Sequence, residues 1–179
     1  MRRKRYEPIA ELIRRDEQVL DIGCGDGTFL ELARERGASG FGVDLDADKV
    51  AICTAKGLTA HCMRVQDIGG LLGGGLDFVS MIHIIEHVQP LEALDILSTV
   101  TNELTEAGRI FIVTPNISHP PVQANFWLDI THTRPYPEAL LNTIFATLGF
   151  PYFQSGEMAF GHETWAYAFR KPEHALKQE

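Results

Sequence analysis

The chain has 179 residues, of which 45% are hydrophobic and 22% are charged, a composition that fits one soluble globular domain. Its net charge of -8 argues against a general nucleic-acid-binding protein, because neutralising phosphates requires a basic surface. No apolar run reaches the roughly 18 residues that cross a bilayer. The three cysteines lack C-x-x-C spacing, which argues against a disulfide framework or a thiolate zinc site. We therefore expect a cytoplasmic protein without a membrane span.

The first segment, residues 1–16, combines basic side chains with a short apolar repeat. Ile9, Leu12 and Ile13 share one helical face, which predicts a short leading helix. The basic residues around it suit either a solvated terminus or a local contact with an acidic partner, substrate or membrane surface. We expect this helix and basic tail to precede a single domain at residues 17–175.

Strands and helices alternate from residue 18 to residue 116. Apolar runs predict five strands, at residues 18–23, 40–46, 61–65, 76–82 and 108–116. Helices are predicted at residues 28–37, 48–56 and 91–104, the last from the helical spacing of Leu91, Leu94, Leu97, Val100 and Leu104. A glycine-rich segment, residues 69–75, precedes the fourth strand. This alternation predicts a parallel sheet covered on both faces.

The pattern changes after residue 115. A long connection containing proline and aromatic residues leads to a helix that bears Leu141, Ile144 and Phe145 and ends at Gly149. Two final strands, residues 152–155 and 164–169, are too close for a helical crossover, so they should pair antiparallel. The sequence therefore predicts a mostly parallel sheet with one antiparallel strand near the C-terminus.

A glycine-rich turn follows the first predicted strand. The stretch VLDIGCGDGTFL, residues 19–30, has Gly23, Gly25 and Gly27 at every second position, where doubly wound sheets bind nucleotides and glycine allows close approach of a ligand. The spacing departs from the dinucleotide pattern G-x-G-x-x-G, and no P-loop lysine follows. We therefore expect neither a dinucleotide pyrophosphate site nor a P-loop.

Carboxylates lie near the ends of the first three predicted strands: Asp21, Asp44 and Asp67. Asp44 lies about twenty residues beyond the glycines, where a carboxylate can accept hydrogen bonds from both ribose hydroxyls. Three carboxylates around one ligand disfavour a phosphate and suit a cation. S-adenosylmethionine (SAM) combines ribose and adenine with an ammonium and a sulfonium, so this acidic pattern favours SAM.

The motifs VLDIGCGDGTFL, GVDLD, RVQDI and LDFVSMIHIIEHV resemble, in this order, those of the class I SAM-dependent methyltransferases, in the branch that includes ubiquinone-biosynthesis enzymes. The resemblance covers roughly residues 17–170. It implies an α/β Rossmann-like three-layer sandwich, built on a seven-stranded, mostly parallel sheet with one antiparallel strand. It also implies a transferase that releases S-adenosylhomocysteine (SAH), as a monomer or a homodimer.

The resemblance further implies which residues bind the cofactor: Asp21, Gly23, Cys24, Gly25, Asp44, Leu45, Asp67, Ile68 and His83. The glycines should lie under the methionine part, with Asp21 at its ammonium group. Asp44 should bind the ribose, and a helix N-cap is its alternative role. Asp67 should accept from the adenine amino group. Leu45 and Ile68 should lie near the adenine, with core packing as the alternative for both, and Cys24 is expected to be a small filler.

Residues of the acceptor side are expected in the loops after the fourth and fifth strands. A hydroxyl acceptor must lose its proton to a base or to a metal that acidifies it. The segment NFWLDITHTRPYPEALL resembles methyltransferases of bacterial surface-polysaccharide and sugar biosynthesis, which implies a small-molecule, sugar or glycan hydroxyl as acceptor. We expect His132 to be the general base, or else a loop-packing histidine, with Trp127, Arg134 and Tyr136 binding substrate.

A metal site remains an alternative. Ubiquinone-biosynthesis O-methyltransferases and RNA 3′-end methyltransferases carry an acid where this chain has His83, ahead of a Glu-His pair that matches Glu86 and His87. His83 is the second catalytic candidate, and with Glu86, His87 and His132 it could bind one divalent metal; otherwise Glu86 and His87 shape the cofactor pocket. The acidic charge argues against an RNA substrate. A non-catalytic SAM-binding module is the alternative from a different functional class.

Overall fold

The order of elements follows the sequence pattern in a computed structural model that describes residues 2–70, 75–159 and 161–177. The centre of the glycine-rich segment expected before the fourth strand lies outside these ranges. Within them, none of the helices is long and apolar enough to cross a bilayer.

The strands of the described residues form one seven-stranded sheet. They are β1 (Gln18–Ile22), β2 (Ser39–Asp44), β3 (Ala60–Cys62), β4 (Leu76–Ile82), β5 (Leu104–Pro115), β6 (Tyr152–Met158) and β7 (Glu163–Phe169). Their spatial order is β3-β2-β1-β4-β5-β7-β6, and β7 runs antiparallel to both of its neighbours while the other pairs are parallel. The expected fold, with a single antiparallel strand near the C-terminus, is confirmed.

Helices cover both faces of this sheet. They are α1 (Arg2–Ala10), α2 (Thr28–Glu35), α3 (Ala47–Ala55), α4 (Pro90–Glu103), α5 (Pro120–Phe126) and α6 (Glu138–Thr147). The short helix α5 lies in the stretch after β5 that the sequence pattern suggested only as a connection. Two prolines occupy its first turn, a position that proline tolerates because the missing N–H has no helical partner there.

The buried face of α4 differs from the leucine series that predicted this helix. Leu91 is 81% exposed, and Leu104 begins β5 instead of ending the helix. Three residues of an α-helix complete less than one full turn, so each leucine of the series lies about 60° around the helix axis from the previous one. The face that packs on the sheet follows the mixed i, i+3, i+4, i+7 pattern of Ala93, Ile96, Leu97 and Val100.

Alternating side chains of the strands build a core on each face of the sheet. Leu20 points into the core covered by α4 and α6, whereas the neighbouring Val19 points into the core covered by α1 and α2. On this second face, Tyr6 of α1 packs edge-on against Phe29 of α2, with ring centroids 6.4 Å apart. Since Ile9 is also buried, the leading helix packs against the domain core and its N-terminal end reaches the carboxyl edge of the sheet.

Candidate active site

The glycine turn connects β1 to α2 at the carboxyl edge of the sheet. Gly23 and Gly25 have φ angles of 69° and 54°, in the left-handed region that favours glycine. A β-carbon on Gly23 would lie 2.0 Å from Cδ1 of Ile84, whereas one on Gly25 would meet no atom within 4 Å. The turn is therefore tightly packed at Gly23 and open at Gly25.

Two cavities adjoin along this turn and share Gly23 and Ile84 as walls. The first has a volume of about 320 Å³ and is also lined by Asp44, Leu45 and Gln66. The second has a volume of about 340 Å³, and its further lining includes Arg5, Tyr6, Asp21, Cys24, Gly25 and His83. Together they can accommodate an elongated ligand, with a nucleoside in the first cavity and an amino-acid group in the second.

Asp21 supplies a buried carboxyl to the second cavity. It is 4% exposed and accepts a hydrogen bond of 2.7 Å from the Ser80 hydroxyl. Burial raises the pKa of Asp21 to about 7, because it outweighs the opposing effect of Ser80, and the nearby Asp44 adds to the increase. A ligand ammonium in this cavity would favour the ionised carboxylate and so return the pKa towards its ordinary value.

Asp44 ends β2 between the turn and the first cavity. Its two carboxylate oxygens accept from the backbone N–H groups of Gly25 and Asp46, each at 2.9 Å. The N-cap of α3 is Asp46, whose side chain accepts from the N–H groups of Asp48 and Lys49. The helix-cap alternative for Asp44 is thus wrong. Its carboxylate braces the glycine turn and faces the cavity beside Leu45, which is 71% exposed.

The segment after β3 presents a different residue to the first cavity than the motif suggested. Val65–Gly70 forms a 3₁₀ helix, in which residues three apart share a face. Val65 and Ile68 are buried, Asp67 is exposed, and Gln66 lines the cavity. Ile68 packs in the core, which agrees with its alternative role. The assignment of Asp67 to the adenine amino group remains a prediction, and Gln66 is the polar residue of this 3₁₀ helix that lines the cavity.

Cys24, between the two glycines, is buried and reduced. Burial raises the pKa of its thiol well above the ordinary value, and the neighbouring carboxylate of Asp21 adds to this effect. A thiol that resists ionisation is a poor nucleophile. The geometry agrees with the expected role of a small filler.

His83 follows β4 and bridges two buried carboxylates. Its Nδ1 lies 3.2 Å from Oε1 of Glu86, and its Nε2 lies 2.5 Å from Oε1 of Glu163, which also accepts from Arg5. Burial alone would lower the pKa of His83, but the hydrogen bonds to Glu163 and Glu86 raise it to about 9. An imidazole that is protonated on both nitrogens has no lone pair to accept a proton, so contacts of both nitrogens with carboxylates disfavour a general-base role for His83.

The carboxylate of Glu86 and the imidazoles of His87 and His132 converge on the acceptor side. One potential ligand atom from each lies within 4.8 Å of the others. His132 Nδ1 lies 2.6 Å from the carbonyl oxygen of Phe126, which can only accept, so Nδ1 carries a proton and Nε2 is the ring nitrogen that bears the lone pair of a neutral imidazole. His132 is therefore oriented as a base or as a metal ligand.

His87 has the same tautomer for a similar reason. Its Nδ1 lies 2.8 Å from the Thr131 hydroxyl, which donates its own proton to Asp129 at 2.6 Å. The hydroxyl must accept from His87, so in the neutral imidazole the lone pair is on Nε2. Glu86 is held by the Thr114 hydroxyl, which donates to its Oε2 at 3.1 Å.

The predicted substrate residues lie at different depths. Trp127 is exposed beside this cluster, and Arg134 is half-buried with its guanidinium 5.4 Å from the Tyr136 ring centre. Tyr136 is 2% exposed, and its hydroxyl has no hydrogen-bond partner in the described part of the chain. Trp127 and Arg134 are at least partly open to solvent, whereas Tyr136 lies in the core.

Sequence reasoning missed three residues at the site. Arg5 belongs to the basic N-terminal segment, which offered a weak signal for a contact with an acidic group. Gln66 precedes the expected Asp67 by one position. No sequence pattern pointed to Glu163 as a site residue, because it is an isolated acid ahead of the last predicted strand.

Comparisons with known proteins agree with this geometry. A family model described as a methyltransferase domain matches residues 2–155. A ubiquinone biosynthesis O-methyltransferase of Idiomarina loihiensis is 29% identical over 106 residues, which cover 56% of this chain and 43% of that protein. The protein of the same description from Chromobacterium violaceum is 27% identical over 106 residues, or 56% and 45% of the two chains. The chain thus spans less than half the length of these relatives.

Solved structures match over nearly the whole chain. A SAM-dependent methyltransferase of Archaeoglobus fulgidus has a TM-score of 0.84 at 23% identity and covers 93% of this chain and 92% of its own. An O-methyltransferase-like protein of Nostoc punctiforme has a TM-score of 0.75 at 21% identity, covering 94% and 57% respectively. At these identities the structural likeness shows a shared fold.

Proposed function

The chain belongs to the methyltransferase-domain family, as its motifs indicated, and we propose that it transfers the methyl group of SAM to a hydroxyl of a small-molecule, sugar or glycan acceptor. The observation that carries this proposal is the pair of adjoining cavities along the glycine turn, next to the cluster of Glu86, His87 and His132. The curated relatives are described as O-methyltransferases, which favours oxygen as the accepting atom.

The lining of the cavities fits the chemical groups of SAM. Asp44 would bind the ribose hydroxyls, Leu45 would cover one face of the adenine, and Gln66 would offer its amide to the adenine edge. In the second cavity, Asp21 would face the ammonium group and Arg5 the carboxylate. These assignments pair the ammonium and the carboxylate of the ligand with opposite charges of the protein.

The residues beside the cavities would prepare the acceptor. SAM supplies a methyl group that its sulfonium already activates, so much of the catalysis can come from positioning. His132 would take the hydroxyl proton on Nε2 while Nδ1 stays bonded to the Phe126 carbonyl. Trp127 and Arg134 would orient the acceptor.

Two measurements test this function. Isothermal calorimetry should detect SAH binding, and isotope-labelled SAM should transfer its methyl group to at least one member of a panel containing phenol, catechol and monosaccharides. A protein that binds no SAH refutes the assigned pocket. A protein that binds SAH but methylates no acceptor supports the non-catalytic SAM-binding module.

A second candidate function is metal-assisted O-methylation, favoured by the arrangement of Glu86, His87 and His132. Histidines that bind metals commonly donate their other ring N–H to an oxygen, as both imidazoles do here. One carboxylate and two imidazoles suit a divalent transition metal, which would acidify the acceptor hydroxyl. His83, the fourth ligand considered from sequence, is bonded to two carboxylates and is not a member of this group.

Chelation separates the two accounts. Loss of methyl transfer in EDTA, with recovery on addition of Mn²⁺ or Zn²⁺, would assign His132 as a ligand. Full activity in EDTA would exclude the metal account and leave the base as the role that His132→Ala then tests. In both cases we expect a small-molecule or glycan partner and no nucleic acid, and a monomer or homodimer remains the prediction for the assembly.

A further inference from the structure

Glu163 is a buried carboxylate that no sequence motif singles out. It is 1% exposed, begins β7 and pairs across the sheet with Pro115 at the end of β5. Burying a carboxylate is costly unless charged or hydrogen-bonding partners compensate. The partners of Glu163 are the guanidinium of Arg5 and Nε2 of His83, which both donate to Oε1. Arg5 and His83 therefore stabilise the Glu163 carboxylate at this depth, and the carboxylate in turn fixes the positions of both side chains.

His83 extends this contact to Glu86. Its φ angle of 56° lies in the left-handed region, a conformation that a residue with a β-carbon keeps only when its surroundings hold it. The backbone N–H donates to the Val113 carbonyl at 2.8 Å, and the two ring nitrogens face Glu86 and Glu163. With the backbone and both ring nitrogens held, the imidazole has one orientation, and that orientation directs one oxygen of Glu86.

We propose that Glu163 is a positioning residue for methyl transfer: it holds His83 and, through His83, keeps the Glu86 carboxylate in place beside His87 and His132. This assignment rests on the proposed function, since it concerns the same site. Glu163 lines neither of the two cavities, so its effect on the acceptor side passes through another residue.

Glu163→Gln tests the assignment with little change in size. The amide oxygen can still accept from Arg5 and His83 at the position of Oε1, but the negative charge is lost, so two charge-assisted hydrogen bonds are replaced by weaker ones to a neutral acceptor. We expect kcat to fall roughly 10- to 100-fold, the usual loss when a supporting residue of a site is removed. The rate is measured with the best acceptor of the panel, at saturating concentrations of both substrates, so that weaker binding does not contribute.

Glu157→Gln is the matched control. Glu157 lies on β6 in the same hairpin, and its exposed carboxylate accepts from the Asn116 amide at 2.8 Å, without a contact to His83. This variant should keep the kcat of the wild type. His83→Asn, which tolerates the left-handed conformation, completes a double-mutant cycle. If Glu163 acts through His83, the double variant should have the kcat of His83→Asn alone.

Three results would overturn the assignment of Glu163 without affecting the proposed function. The first is a Glu163→Gln variant that matches the control, and the second is a double variant whose losses add. If thermal unfolding shows that Glu163→Gln does not fold, Glu163→Asp replaces it, because it keeps the charge and shortens the reach by one methylene. An Asp variant with unchanged kcat is the third. A wild type that binds no SAH or methylates no acceptor refutes the proposed function itself, and this outcome is seen before any variant is made.

Discussion

Asp21→Asn should stabilise the protein, and the gain should increase as the pH rises. The carboxyl of Asp21 is buried beside the second cavity, and burial raises its pKa from 3.8 to about 7 despite the hydrogen bond from Ser80. An asparagine has nearly the same shape, and its carbonyl oxygen can still accept from the Ser80 hydroxyl. It cannot ionise, so the cost of burying a charge is removed.

The expected size follows from the shift in pKa. A carboxyl with a raised pKa binds its proton more tightly in the folded than in the unfolded chain, so stability is greatest at low pH and declines until the pH passes the folded-state pKa. The complete shift corresponds to about 4 kcal/mol. Roughly a third of this cost is already present at pH 5. The stability advantage of the asparagine variant should therefore grow by roughly 2–3 kcal/mol between pH 5 and pH 8.

Urea unfolding of the cofactor-free protein at several pH values measures this difference. Asp77→Asn is the matched control, because Asp77 also lies in the sheet but accepts from the Gln18 N–H and the Thr105 hydroxyl. The control should not gain stability as the pH rises. A free-energy difference between Asp21→Asn and the wild type that stays constant from pH 5 to pH 8 would refute the reasoning about buried charge.

Three further variants probe the cofactor side, the acceptor side and the folded chain. Asp44→Ala should weaken SAH binding in calorimetry by on the order of 2–4 kcal/mol, because two charge-assisted hydrogen bonds to ribose are lost. Unchanged SAH affinity in this variant would show that the pocket is misplaced. Nicotinamide cofactors should not bind to the wild type. His132→Ala should lower methyl transfer by roughly 10²–10⁴ while SAH affinity stays near that of the wild type; a fully active variant would make His132 a loop-packing residue. Burial, followed by the charges of Arg109 and Arg14, lowers the pKa of His174. The free energy of unfolding should therefore fall as the pH drops below 6.5, the ordinary pKa, and His174→Gln should flatten this decline in urea unfolding. An equally steep decline in the variant would exclude His174 as its source.

The sequence by itself determined the sheet, the glycine turn and the carboxylates at the strand ends. Each of these is a local feature: the period of apolar residues identifies a strand or helix, and Gly23 and Gly25 mark a turn that needs positive φ angles. The placement of Asp21 and Asp44 beside the glycine turn could be predicted because the ends of parallel strands meet at one edge of a sheet. The spacing of the leucines also predicted α4 within one residue at each end, but leucines three apart do not by themselves define which face of that helix is buried.

Only the tertiary structure decided which distant side chains meet. Arg5 and Glu163 lie near opposite ends of the chain, and they meet at His83 because α1 packs beside α2 while β7 inserts antiparallel next to β5. The 3₁₀ turn after β3 likewise decided that Gln66, and not Asp67, lines the cavity. Such contacts have no local signal, because they depend on how whole elements pack and on which residue of a turn faces inward.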